Sequence, residues 1–123
     1  MKLIPEWYEH QNCLIAWPCN KDLYGEIINS ARDEVANVIN EIAKTEDVIV
    51  LSNKENINEI KSKTVHENIN ILECKLDDSW MRDIGPIFYT EGKKLKSISF
   101  DFNGYGKYPN YSNDNKVSKF ISN

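Results

Sequence analysis

The segment Asp77-Asp78-Ser79-Trp80-Met81-Arg82-Asp83-Ile84-Gly85-Pro86 places an indole, a guanidinium and three carboxylates close together in the chain. The apolar runs on either side, residues 69–72 and 87–89, have the β-branched and aromatic composition of strands. The Gly85-Pro86 pair marks a turn. The segment is therefore predicted to be a loop at the end of a strand, where functional residues commonly lie.

Within this loop, Trp80 and Asp83 have the chemistry of a cation-binding site. An indole face attracts cations, and a carboxylate presents two oxygens to a planar guanidinium group. The two residues can therefore bind a guanidinium or an amine. A structural alternative stays open from the residues alone, in which Arg82 pairs with a neighbouring Asp beside a buried Trp.

The rest of the chain predicts strands that alternate with helices, a pattern typical of an α/β fold. Apolar residues recur at helical spacing over residues 24–43, which predicts a helix packed on a sheet. Residues 13–17 and 48–51 predict buried strands, and residues 69–76 predict a strand that leads into the loop.

Shorter elements complete the predicted order. Asn53 or Asn56 is expected to cap a short helix. Glu91-Gly92 predicts a hairpin turn, after which the second strand is expected to continue to Phe102. Residues 116–121 begin a helical pattern.

The composition is that of a small soluble domain. With 123 residues, of which 41% are hydrophobic, the chain is long enough for one modest core. A net charge of −4 disfavours a nucleic-acid partner, because phosphate contacts need clustered Lys and Arg. No apolar run is long enough to span a membrane, and Pro5-Glu6 interrupts the stretch that a signal peptide needs, so a cytoplasmic location is expected.

The three cysteines do not predict a site. Their odd number argues against a disulfide scaffold. Cys13 and Cys74 lie in apolar runs and are predicted to be buried small hydrophobic residues, whereas Cys19 follows Pro18 in a loop. None lies in a motif that would activate a thiolate, and no Cys or His pair has zinc-ligand spacing. We therefore predict no catalytic residue and no metal site.

Three motifs occur in a fixed order along the chain. They are Pro5-Glu6-Trp7-Tyr8-Glu9-His10 with Ala16-Trp17-Pro18, then the part of the loop from Asp78 to Pro86, and then Asp101-Phe102-Asn103-Gly104-Tyr105-Gly106-Lys107-Tyr108. With these motifs the chain resembles the agmatine deiminase family of guanidine-modifying hydrolases, in the peptidyl-arginine deiminase superfamily. Asp77 stands where this family usually has Asn, and Tyr105 stands where it usually has Trp.

The resemblance covers nearly the whole chain but only the opening third of such an enzyme. It implies a five-bladed α/β propeller of the pentein type, built of strand-strand-helix-strand units. Residues 1–123 would form a single partial domain, a little over one blade. The complete enzyme hydrolyses agmatine to N-carbamoylputrescine and ammonia in putrescine biosynthesis, without a cofactor, through a Cys and a His that match no motif here. This chain alone is therefore expected to be inactive.

The resemblance also implies roles for individual residues. Asp83 matches the family aspartate that accepts hydrogen bonds from the substrate guanidinium, and Trp80 matches the tryptophan that lines the same pocket. Arg82 would repel agmatine and is expected to support the loop through an ion pair, with Asp78 as its candidate partner. Asn103 is expected to shape a turn beside the site.

Two alternatives to the agmatine deiminase interpretation stay open. In the first, the chain is a noncatalytic remnant that acts as a binding or interaction module. In the second, it is a fragment of a peptidyl-arginine deiminase-type enzyme. An incomplete propeller leaves strand edges and apolar surface open. The expected partners are therefore a small guanidinium substrate such as agmatine and either a second copy of the chain or a complementing C-terminal half.

Overall fold

A computed structural model describes residues 1–5 and 7–122, which form two three-stranded sheets with helices. The strands are β1 (Lys2–Leu3), β2 (Asn12–Ala16), β3 (Asp47–Ser52), β4 (Ile69–Glu73), β5 (Ile87–Glu91) and β6 (Lys94–Ile98). The α-helices are α1 (Lys21–Tyr24), α2 (Ile28–Ile42), α3 (Ile57–Lys63), α4 (Met81–Ile84) and α5 (Asp114–Ser122). Short 3-10 helices occupy Gly25–Ile27, Lys54–Asn56 and Gly104–Gly106. The predicted α/β class is confirmed.

The parallel sheet has the order β2-β3-β4 and contains the strands predicted near residues 13–17 and 48–51. The third strand was expected to continue to residue 76, but it ends at Glu73. The reason is that the side chain of Asn53 forms hydrogen bonds with the backbone of Leu76, beyond the end of the strand. Asn53 Nδ2 donates to the Leu76 carbonyl at 3.1 Å, and the Leu76 N–H donates to Asn53 Oδ1 at 2.9 Å.

The long predicted helix is confirmed, with a break near its start. Gly25 has a φ of 54°, a left-handed conformation that ends α1 and is readily available to glycine. After a single 3-10 turn, α2 places Ala36 and Ile39 against Val48 and Val50 of the central strand. Together with Trp17 and Ile60, these residues form the core on one face of the parallel sheet.

The predicted capping of α3 by an Asn side chain is wrong. Neither Asn53 nor Asn56 makes a side-chain capping hydrogen bond. Asn53 is committed to Leu76, and Asn56 Oδ1 accepts a hydrogen bond at 3.1 Å from the buried Arg32 guanidinium. Arg32 also donates to the Pro18 carbonyl at 3.0 Å and to Glu59 at 2.8 Å. One buried cation thus joins α2, α3 and the end of β2. Because Asn56 is used to bind this cation, its side chain does not cap α3.

The opposite face of the parallel sheet carries a second core. Leu51 points away from Val50, as alternation along a strand requires, and packs with Ile84 of α4 and Val117 of α5. Ala16 and Leu76 complete this group. The parallel sheet is therefore covered on both faces, as is usual for parallel strands.

The antiparallel sheet has the order β1-β5-β6. The predicted hairpin turn is confirmed, with Gly92 at a φ of 64° between β5 and β6. The extension of the second strand to Phe102 is wrong, because β6 ends at Ile98 and Phe100 is 64% exposed. The Phe102 N–H donates instead to Asn115 Oδ1 of α5 at 2.7 Å, so this helix binds the backbone that would have continued the strand.

Across the part of the chain that the structure describes, no helix combines the length and apolar character needed to cross a membrane.

Candidate functional site

The predicted site loop joins β4 to β5 and so connects the two sheets, but it is not wholly irregular, because Met81–Ile84 within it form the short helix α4. It is anchored at its start by the two hydrogen bonds between Asn53 and Leu76. At its end, Gly85 has no room for a side chain, since a Cβ there would lie 2.8 Å from both the carbonyl oxygen and Cε of Met81. Both ends of the loop are therefore fixed by close contacts.

A reciprocal pair of aspartates ties the loop to α5. Asp114 Oδ1 accepts hydrogen bonds from the backbone N–H groups of Asp77 at 2.8 Å and Asp78 at 3.3 Å. Asp77 in turn accepts from the backbone and side chain of Asn113, each at 2.7 Å. Asp114 is 2% exposed, and its burial raises the pKa of this carboxyl to about 6. The loop and α5 thus satisfy each other's backbone groups.

Asp78 orients the indole of Trp80. Its Oδ2 accepts a hydrogen bond from Trp80 Nε1 at 2.9 Å, and its Oδ1 accepts from the Ser79 N–H at 2.8 Å. The Ser79 hydroxyl also lies 2.9 Å from the hydroxyl of Tyr24. The N–H of the indole is thus bonded within the loop, while Trp80 is 47% exposed, so that part of the residue is open to solvent.

The exposure of Trp80 contradicts the structural alternative, which required a buried Trp. Asp78 accepts hydrogen bonds from Ser79 and Trp80, and its pairing with Arg82 stays a prediction. Arg82 lies on the exposed side of α4.

Asp83 lies one helical turn after Trp80. Its backbone N–H donates to the Trp80 carbonyl at 2.9 Å, and its exposed carboxylate accepts a hydrogen bond from the Tyr105 hydroxyl at 2.8 Å. Burial and the hydrogen bond to Asp83 raise the pKa of Tyr105 to about 12, so its hydroxyl remains a donor at neutral pH. Trp80 and Asp83 therefore occupy one short turn, in which one presents an aromatic face and the other a carboxylate.

Asn103, the remaining predicted site residue, is exposed and contributes through its backbone. Its carbonyl accepts a hydrogen bond from the Gly106 N–H at 3.1 Å, which closes the turn that carries Tyr105. Gly104 in this turn has a φ of 63°, and a Cβ on it would lie 2.9 Å from the ring of Tyr111. Asn103 therefore lies in the turn that positions Tyr105.

The thiols are poor nucleophiles in this environment. Burial, followed by the nearby carboxylate of Asp114, raises the pKa of Cys19 to about 12. Burial also raises the pKa values of Cys13 and Cys74, which are half-buried rather than fully enclosed. Because the thiolate is the reactive form, none of the three is activated here. The described residues likewise include no group of three or more His, Cys, Asp or Glu side chains arranged to hold a metal ion.

Sequence reasoning missed three contributors to the site. It did not assign a role to Tyr105, to Asp114 or to Tyr24. A signal existed for Tyr105, because the flanking Gly104 and Gly106 predict an unusual backbone that presents the residue between them. Asp114 lies two residues before the predicted helical pattern of residues 116–121, where a carboxylate usually caps the helix that follows. Its hydrogen bonds to residues 77 and 78 could therefore not be expected.

Known proteins are similar to this chain in sequence and in fold. A candidate agmatine deiminase from Mycoplasma capricolum is 33% identical over 104 residues, which make up 84% of this chain and 28% of that protein. The agmatine deiminase of Enterococcus faecalis has the same fold, with a TM-score of 0.90 and 19% identity over 98% of this chain and 34% of its own. A Cys-to-Ser variant of the C. jejuni agmatine deiminase with substrate bound gives a TM-score of 0.77 and 28% identity, over 98% and 35% of the two chains.

The chain thus spans about a third of the length of the curated relatives it matches, which agrees with the N-terminal portion of such a protein. The resemblance to agmatine deiminases is confirmed. The family model for the Porphyromonas-type peptidyl-arginine deiminases matches residues 2–123, nearly the whole sequence, and the chain therefore belongs to that family.

Proposed function

We propose that this chain carries part of the guanidinium-binding site of an agmatine deiminase-type hydrolase. The observation that supports this proposal best is the turn in which Trp80 and Asp83 lie together, both exposed. Trp80 is held by a hydrogen bond to Asp78 of the loop, and Asp83 by one from Tyr105 of the neighbouring turn. A planar cation can stack on the indole face and donate hydrogen bonds from its edge to the carboxylate. Agmatine is the proposed ligand, because it combines a guanidinium with a flexible aliphatic chain.

Each residue has a separate role in this proposal. Asp83 accepts hydrogen bonds from the guanidinium, and Trp80 lines the pocket. Asp78 holds the indole through its N–H, and Asn103 closes the turn that carries Tyr105. Arg82 is kept from the ligand by charge repulsion and supports the loop.

The complete reaction consumes agmatine and water and yields N-carbamoylputrescine and ammonia. Cleavage of the C–N bond requires an activated nucleophile and a proton donor for the departing ammonia. The three thiols of this chain all have raised pKa values, so we assign the nucleophile to the two thirds of the family length that this chain does not span. A role in putrescine biosynthesis and a cytoplasmic location remain predictions.

The ligand assignment can be tested by titrating the purified chain with agmatine and following the indole N–H resonances by NMR. The Trp80 resonance should move, because this N–H is bonded to Asp78 beside the proposed pocket. The chain supplies two internal controls, since Trp17 is fully buried and Trp7 is exposed in the N-terminal segment. Equal movement of all three indoles, or movement of none, would contradict the assignment.

The assignment of the nucleophile can be tested by an ammonia-release assay. The purified chain should release no ammonia from agmatine, and Cys74→Ser should behave identically. Turnover that disappears in Cys74→Ser would instead make Cys74 the nucleophile.

A second candidate function is an interaction module. It is favoured by exposed apolar side chains on the antiparallel sheet, among them Leu3, Ile87 and Leu95. A second copy or a complementing half would cover this surface. Sedimentation velocity with and without agmatine tests this second function. Self-association should be unaffected by agmatine if the apolar surface acts independently of the site loop.

A peptidyl-arginine deiminase-type substrate is the alternative ligand class, since it presents the same guanidinium. Titration with an acylated arginine peptide in place of agmatine separates the two. Tighter binding of the peptide would favour the alternative.

A further inference from the structure

Tyr105 has an unusual backbone for a residue with a side chain. Its φ of 58° is left-handed, and it lies between Gly104 and Gly106, whose φ values are 63° and 67°. Three successive left-handed residues present the tyrosine outward from a turn. Such a conformation persists in a non-glycine residue only where the surroundings maintain it, and it is concentrated at functional positions.

The surroundings that maintain it are aromatic. The Tyr105 ring makes edge-to-face contacts with Phe102, at 5.1 Å between centroids, and with Tyr108, at 6.3 Å. Phe102 also packs edge-to-face on Tyr111, the residue that closes over Gly104. The ring is therefore fixed on one side while the side chain as a whole stays 50% exposed.

The fixed ring directs its hydroxyl to one oxygen of the loop carboxylate, since Tyr105 donates to Asp83 Oδ2 at 2.8 Å. Asp83 lies on the four-residue helix α4 and is exposed, so its side chain would otherwise rotate freely in solvent. A donor on Oδ2 limits this rotation. It leaves Oδ1 and the second lone pair of Oδ2 to accept from a ligand.

We propose that Tyr105 is a positioning residue that holds the Asp83 carboxylate in the plane required to receive a planar guanidinium, and so favours guanidinium over ammonium ligands. This inference rests on the proposed function, because it assumes that Asp83 contacts the guanidinium. Its physical basis is that a guanidinium donates through a rigid fork, which needs correctly oriented acceptor oxygens. An ammonium has three freely rotating donors and tolerates a mobile carboxylate.

The first test measures the side-chain rotamer of Asp83 without any ligand. Three-bond couplings to its β-protons should report one dominant χ1 rotamer in the wild-type chain and averaging over several in Tyr105→Phe. Tyr108→Phe is the matched control, because it removes a hydroxyl from the same aromatic group and should leave the couplings unchanged. An unaltered Asp83 rotamer in Tyr105→Phe would overturn the proposal.

The second test compares the affinities for agmatine and putrescine, which share an aliphatic diamine skeleton but differ in the guanidinium. Tyr105→Phe should weaken agmatine binding about threefold to tenfold, the range expected for loss of one hydrogen bond, and change putrescine binding by less than about twofold. The ratio of the two affinities is therefore the decisive readout, since general damage to the loop would weaken both ligands equally.

The outcomes separate this inference from the proposed function. Equal losses for both ligands, or no loss for agmatine, would overturn the role of Tyr105 while leaving the ligand assignment intact. Unchanged agmatine binding in Asp83→Asn, or no agmatine binding by the wild-type chain, would overturn the ligand assignment. The rotamer measurement then decides whether Tyr105 still positions Asp83.

Discussion

The two sheets of this molecule differ in how completely the chain covers them. In the parallel sheet, Val48, Val50 and Leu51 of β3 have no exposed surface, because helices pack on both faces. In the antiparallel sheet, Leu95 of β6 is 65% exposed and β5 also presents Ile87. The difference indicates that stability is concentrated in the first sheet, while the second has apolar surface available for other groups.

The site loop connects these two regions and is held mainly by the covered one. Asn53, Tyr24 and Asp114 fix its first half from the parallel sheet and its helices. Tyr105 contacts its second half from the turn before α5. We therefore expect the geometry around Trp80 to depend on the parallel-sheet core more than on the antiparallel sheet.

The largest effect is expected from a cavity in the covered region. Ile39 is fully buried between α2 and the parallel sheet, so Ile39→Ala should lower the free energy of unfolding by about 2–5 kcal/mol. Leu95→Ala in β6 should change it by less than about 0.5 kcal/mol. Urea denaturation of both variants checks this contrast. Equal losses would show that the two sheets share one core.

A somewhat smaller effect is expected from pH, through the carboxyl that joins loop and helix. Burial raises the pKa of Asp114 to about 6, above the usual value of 3.8 and against the hydrogen bonds from Asp77 and Asp78. The fold therefore favours the protonated form. The contribution of Asp114 to the free energy of unfolding is complete below about pH 4. It is lost as the pH rises through 6, which lowers the free energy of unfolding by up to roughly 3 kcal/mol.

Asp114→Asn provides the control for this prediction. An Asn oxygen can still accept from the two backbone N–H groups, but it does not titrate. In this variant the free energy of unfolding should therefore no longer decrease between pH 4 and 6. The pKa of His10 is also raised, by the Tyr8 carbonyl and Glu46, and its contribution should decline only above pH 6.5 in both proteins. A wild-type curve that rises from pH 4 to 6 would contradict the prediction.

A smaller effect again is expected where the loop closes. Gly85→Ala would bring a methyl group within 2.8 Å of the Met81 carbonyl oxygen and Cε, so it should destabilise the chain by about 1–3 kcal/mol. Met81→Ala in the same chain removes the side-chain contact but keeps the carbonyl. Gly85→Ala should therefore destabilise the Met81→Ala chain less than the wild-type chain, but still measurably, in a double-mutant cycle followed by urea denaturation. If Gly85→Ala cost no stability in the Met81→Ala chain, the steric clash would lie entirely with the Met81 side chain.

The smallest effect on stability, with a clear effect on surface properties, is expected at the uncovered sheet. Leu95→Gln should reduce the fluorescence of a bound apolar dye, because it removes exposed apolar surface from β6. Val38→Gln is the matched control, since Val38 is similarly exposed but lies on α2. Equal reductions in the two variants would show that the dye does not distinguish the antiparallel sheet.

Local patterns were sufficient to predict the main helix and the strands of the parallel sheet, but not the two-residue strand β1 or the short helix α4. The periodicity of α2 and the apolar run of β3 are encoded in neighbouring residues, so both were found with small errors at their ends. The errors arose where a side chain bonds to a distant part of the chain. Asn53 ends β4 early by bonding to Leu76, and Asn115 receives the Phe102 N–H that a longer β6 would have used.

The candidate site shows the same division. Trp80 and Asp83 could be singled out because their chemistry lies within one short motif. The support for this motif could not be predicted, because Asp114 and Tyr105 reach it from 22 or more residues away. No local pattern specifies such pairs when each residue also has an ordinary local role, as a helix cap or a turn residue.

The most direct test of the central claim is a calorimetric titration of agmatine into the wild-type chain and into Asp83→Asn, Trp80→Ala and Asp101→Asn. A charge-assisted hydrogen bond contributes about 1.5–3 kcal/mol and an indole contact about 0.5–2 kcal/mol. Asp83→Asn should therefore weaken binding most and Trp80→Ala less. Asp101→Asn, which removes an exposed carboxylate outside the loop, should leave binding unchanged. Wild-type affinity in Asp83→Asn would contradict the assignment of this loop as a guanidinium site.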